Sequence, residues 1–82
     1  GSVSESALNS IHVFPNPSSD VVIVEGIHSM LNLTVRDEVG RIIHAVKSAS
    51  RIELNVSNWA SGIYLMEFND GKGLKQVRFV KK

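Results

Sequence analysis

The three histidines, His12, His28 and His44, are the side chains of this chain best suited to move a proton or hold a metal near neutral pH. Their spacing assigns them neither task. They fall on three different predicted segments, with no HxH or HxxxH pair and no neighbouring pair of carboxylates to complete a site. Serines and aspartates are present, yet no Gly-x-Ser-x-Gly elbow, phosphate-binding loop or oxyanion motif organises them into nucleophile and base. Cysteine is absent, which removes thiolate chemistry, thiolate metal sites and disulfides. No catalytic residue, cofactor or metal site is therefore expected. A hydrolase would need a cleft that brings a nucleophile and a base within hydrogen-bond reach.

The elements that would position any site read as strands. Leu31, Leu33 and Val35 alternate with Asn32, Thr34 and Arg36, and Ile52, Leu54 and Val56 alternate with Arg51, Glu53 and Asn55. Val77 and Phe79 share a face against Gln76 and Arg78. Residues 21–24, 42–46 and 63–68 are apolar on both faces, which predicts strands near the middle of a packed sheet. Asp37-Glu38-Val39-Gly40 reads as a tight hairpin with Gly40 at a positive-φ bulge position, and Asn69-Asp70-Gly71-Lys72-Gly73 as a second hairpin. Ser57-Asn58-Trp59-Ala60-Ser61 predicts one short helical turn ended at Gly62. With about seven strands and no full helix, the expected fold is all-β, an antiparallel two-sheet sandwich of immunoglobulin-like type. A barrel is the alternative, because strand order is not written in the pattern.

Composition bounds what such a sandwich can do. At 82 residues the chain is one small domain, able to bury roughly 60% of its unfolded surface. Apolar residues at 43% and charged residues at 21% are those of a folding chain, not a disordered one. A net charge of +1 gives no electrostatic reason to expect nucleic acid or an anionic membrane. The longest apolar run, residues 21–24, falls far short of the ~20 residues of a helical span, so no bilayer insertion is expected. Gly1-Ser2 reads as the remnant of a cleaved tag, and an exported parent would carry its leader upstream. Val3, Ser4, Glu5, Ser6, Ala7, Leu8, Asn9 and Ser10 are small and polar without period two, so residues 1–10 read as tag remnant and linker and residues 11–82 as the domain.

Four motifs carry a resemblance that periodicity does not supply. Phe14-Pro15-Asn16-Pro17-Ser18-Ser19-Asp20, Asp37-Glu38-Val39-Gly40-Arg41, Trp59-Ala60-Ser61-Gly62-Ile63-Tyr64-Leu65 and the finish Phe79-Val80-Lys81-Lys82 resemble, in order and spacing, the type A C-terminal sorting domain of the type IX (Por) secretion system of Bacteroidota. The resemblance runs from Ile11 to Lys82. It implies a non-catalytic address on an exported cargo, in the periplasm during transit and then at the outer membrane, on the cell surface or secreted. The partners it implies are the type IX translocon, an outer-membrane β-barrel shuttle, and a cysteine-protease sortase that removes the domain and joins the cargo to anionic lipopolysaccharide. Pro15, Asn16, Pro17, Asp20, Gly40, Arg41, Gly62, Tyr64, Phe79, Val80, Lys81 and Lys82 become the candidate recognition residues. The scissile bond is expected before Phe14, within Val3 to Ser10.

Packing competes with recognition at each motif. The Pro-Asn-Pro turn is a stiff, donor-poor connection in which the Asn16 amide is expected to bond nearby backbone. Gly40 and Gly62 read as backbone necessities. Tyr64 shares a strand face with Met66 and Phe68, so core packing is expected, with its hydroxyl on a backbone partner. Trp59 is expected to cover the core. The terminal lysines favour recognition, since residues beyond a last strand add little stability. Phe14 to Asp20 is thus expected to be a rigid boundary, with contact at Val80-Lys81-Lys82, for which strand addition is one route. The competing function is an immunoglobulin-like accessory module for carbohydrate binding or adhesion, which would gain if Trp59 and Tyr64 shared an exposed face. A monomer is expected, with edge-strand or swapped dimers as the exception.

Overall fold

Alternation of apolar and polar side chains closes into two antiparallel layers. The computed structural model describes residues 7–82. Its strands are β1 (His12–Phe14), β2 (Val21–Glu25), β3 (Leu31–Arg36), β4 (Ile42–Ser48), β5 (Ile52–Asn55), β6 (Gly62–Asn69) and β7 (Leu74–Lys81). One sheet has the order β1-β2-β5 and the other β4-β3-β6-β7. This is the expected immunoglobulin-like sandwich. The inward rows supply the core: Val22, Val24, Ile52 and Leu54 from the smaller sheet meet Leu33, Val35, Tyr64, Met66, Phe68 and Phe79 from the larger. Each such side chain contributes about 1.5–3 kcal/mol relative to exposure.

The predicted elements need two corrections. Residues 42–46, expected near the middle of a sheet, form most of β4, which pairs only with β3 and is an edge. Its outward Ile42 and Ile43 are exposed, so their apolar character does not report burial. Residues 57–61 make no helix; the amide of Trp59 donates to Val56 O at 3.0 Å in an isolated turn. The β3–β4 and β6–β7 hairpins stand as expected, but the bulge of the first lies between Ile42 and His44, beyond Gly40.

Ahead of β1, Ala7–Ser10 forms a 3-10 turn. Leu8 and Ile11 are both buried in the core. Among the described residues no helix is long and apolar enough to cross a membrane, and no three metal-binding side chains converge.

Candidate functional site

The strand register gathers the four motifs at one end of the sandwich. Gly62 pairs with Lys81, Ile63 with Val80 and Tyr64 with Phe79, so the third motif lies directly beside the fourth. Arg36, where β3 enters the Asp37–Arg41 turn, pairs with Leu65 on β6. The first motif joins through Ser18, which bridges to Lys81. Val56, at the end of β5, donates its amide to Asp20 O at 2.7 Å. Residues 63 positions apart in sequence, Ser18 and Lys81, therefore share one surface, the motif end.

The Pro-Asn-Pro turn closes the outer edge of β7. Asn16 Nδ2 donates to Arg78 O at 2.8 Å while Asn16 Oδ1 accepts from the amide of Val80 at 3.0 Å, so one side chain imitates a neighbouring strand. Ser18 continues the imitation with its backbone: its amide donates to Val80 O at 3.1 Å and its carbonyl accepts from the amide of Lys82 at 2.9 Å. The buried Ser18 hydroxyl is satisfied by Val21 O at 2.8 Å. Strand addition along this part of β7 is blocked, because its polar groups already have partners. Asn16→Ala removes two hydrogen bonds and is expected to cost about 1–2 kcal/mol in urea unfolding. The same variant should speed exchange of the Val80 amide about tenfold.

Beside this edge, a groove of about 350 Å³ runs between the β3–β4 turn and the start of β6, lined by Glu38, Val39, Arg41, Ile43, Trp59 and Ile63 among others. Its carboxylates hold the frame together. Asp37 pairs with Arg41 at 2.9 Å and caps the amides of Val39 and Arg41. Glu38 Oε2 accepts from the amide of Ile63 at 3.0 Å. φ at Gly62 is +151°, a conformation that side chains rarely adopt, so glycine is favoured there; a Cβ would also start 2.7 Å from that oxygen and push the flexible end of Glu38 aside. The Tyr64 hydroxyl donates to Ala60 O, and its ring packs on Trp59 at 5.1 Å. Tyr64 is buried and Trp59 half-buried against Phe79, so no shared aromatic platform faces solvent. The carbohydrate-binding reading loses the feature it needed.

Three carboxylates titrate low. Partial burial pushes Asp37 up, but hydrogen bonds from Arg41 and Val39 and the Arg41 charge outweigh it. Glu67 is lowered by hydrogen bonds from Arg36 and Gln76, and Asp70 by the amides of Lys72 and Gly73. Groups depressed on folding stabilise above their unfolded pKa, and that contribution is lost as pH falls through the folded value. The thermal midpoint is therefore expected to drop as pH falls below about 4, with a shallower drop in Glu67→Gln.

The candidate residues divide by exposure. Pro15, Asn16, Pro17, Asp20, Gly40, Arg41, Val80 and Lys82 are exposed. Phe79 and Tyr64 belong to the core, and Lys81 is buried, its Nζ donating to Lys82 O at 3.0 Å. Val80 and Lys81 lie within β7 and not in a frayed tail beyond it. Val39 and the cross-strand pair Ile63 and Val80 present 76%, 44% and 37% of their surface, and Ile42 and Ile43 are exposed at the same end. Of these only Val80 was a sequence candidate, because exposed and buried apolar residues look alike in a strand pattern. Glu38 and Ser18 were also missed, as their partners are remote in sequence. Of the linker residues, Val3 to Ser6 lie outside the described residues.

Comparisons with known proteins bear on the fold and the family. A component of the type-IX secretion system of Porphyromonas gingivalis, the essential surface protein PorZ, matches over 100% of this chain with 28% identity and a TM-score of 0.84. The match covers 13% of that protein, so the chain corresponds to a small part of it. A DUF3244 family protein from Bacteroides vulgatus with an immunoglobulin-like β-sandwich matches at 15% identity and a TM-score of 0.76, covering 89% of this chain and 85% of that one. This second likeness speaks for the fold alone. No curated protein sequence matches the chain. The profile of the secretion system C-terminal sorting domain matches residues 12–82, and the chain belongs to that family.

Proposed function

We propose that this domain is a non-catalytic address whose motif end is held by the type IX translocon and its outer-membrane β-barrel shuttle. A cysteine-protease sortase then cuts ahead of the domain and joins the cargo to anionic lipopolysaccharide. The observation that carries this reading is the convergence of four separated motifs on one end that also exposes Val39, Ile42, Ile43, Ile63 and Val80. Several exposed apolar side chains at one end of a small domain are suited to a protein partner. Binding proceeds by side-chain docking, since Asn16 and Ser18 already occupy the end of β7. The domain acts as a monomer: the other long edge, β4, carries a bulge and Lys47, both of which discourage pairing.

The test is a reporter that carries an export leader and is fused ahead of residues 1–82. Surface display is expected in cells with a working type IX translocon, and periplasmic retention in cells without it. Equal display in both would overturn the proposal.

A further inference from the structure

The segment ahead of β1 is built into the end of the sandwich opposite the motif end. Leu8, an apolar residue in a polar stretch, is only 3% exposed and joins the core with Ile11. The 3-10 turn that carries it lies against β7. Leu8 O accepts from the amide of Ile11 at 3.2 Å, and Ile11 O from Lys75 Nζ at 3.3 Å. Ser10 Oγ donates to Gly26 O at 2.8 Å. At Gly26, φ is +89° and a Cβ would stand 1.8 Å from Ser10 O, so the two backbones are pressed together in a way only glycine permits.

Such a segment is a poor protease substrate. An endopeptidase needs the scissile carbonyl carbon open to its nucleophile, and backbone that is buried and hydrogen-bonded is not. In the sortase step proposed above, the thiolate adds to that carbon and the C–N bond breaks. The leaving nitrogen takes up a proton as the new amino terminus of the released domain. The cargo acyl group, held as a thioester, passes to an amine of the lipopolysaccharide or to water, and the thiol is restored. Bonds between Leu8 and Ile11 reach such a site only after Leu8 leaves the core.

We infer that Leu8 is a plug that sets the limit of processing: the cut falls on the cargo side of Leu8, and the domain departs with Leu8 still seated. The existence of the cut rests on the function proposed above; the protection of the segment does not. Limited digestion of the chain with a broad-specificity protease, read by mass spectrometry, tests the plug. Bonds between Leu8 and Ile11 are expected to be cut about tenfold more slowly than bonds ahead of Ala7. Leu8→Ala should remove most of that difference, and Ser10→Ala, which keeps the plug, a smaller part. Equal rates in the unaltered chain would overturn the plug, whatever the variants do. In exporting cells the released domain is expected to retain Leu8, and a domain beginning at Asn9 or later would overturn the limit. Absence of any cut in cells would overturn the proposed processing and this role within it, while the digestion still decides the plug.

Discussion

Phe79→Ala is expected to leave the domain largely unfolded at 37 °C. Phe79 is fully buried and its ring meets Trp59, in the β5–β6 connection, at 6.4 Å and Tyr64, on β6, at 6.3 Å, so truncation opens a cavity among these aromatic rings. Changes of this kind cost about 3–5 kcal/mol. A small domain sits near the lower part of the usual range of about 5–15 kcal/mol. The thermal midpoint should fall by roughly 15–30 °C, measured by circular dichroism. Val80→Thr, one residue on and facing outward, should cost under about 1 kcal/mol. An unchanged midpoint in Phe79→Ala would contradict the packing described. Deleting residues 79–82 is thus a poor probe of recognition: it removes part of the core together with the terminal lysines.

The combination Val39→Ser, Ile63→Thr and Val80→Thr should give the opposite result, a folded domain that fails as an address. All three side chains are exposed at the motif end, and none belongs to the buried core. Threonine keeps the β-branch that suits a strand, so the urea midpoint should move little. Loss of these three apolar side chains is expected to lower surface display of a fused reporter about tenfold, the equivalent of ~1.4 kcal/mol of docking energy. Full display with unchanged stability would exclude these side chains as a contact surface.

Much of the fold is legible because one face of each central strand must be dry. Leu31, Leu33 and Val35 announce β3 by alternation, and Asp70-Gly71 announces its hairpin by turn chemistry. The same logic misreads β4, where Ile42 and Ile43 are apolar but face water. A docking surface and a core share the same residue types, and only strand order separates them. The Pro-Asn-Pro motif is visible as a stiff turn, yet its capping of Arg78 and Val80 depends on a contact across 62 to 64 residues that no local pattern encodes. Leu8 is harder still, since a single apolar residue has no period. The motifs themselves were legible as a set, and the β6–β7 register explains why they belong together.

Because the chain has no cysteine, single cysteines can carry a photo-crosslinker at chosen points on its surface. Met30 and Leu74 are exposed at the end opposite Val39, about 25 Å away along the strands. The most direct test places the crosslinker in turn at Val39→Cys, Met30→Cys and Leu74→Cys on a cargo arrested during export. We expect an adduct with an outer-membrane translocon or shuttle protein from position 39 and none from positions 30 and 74. Adducts from position 30 or 74 without one from position 39 would contradict the motif end as the surface that is read.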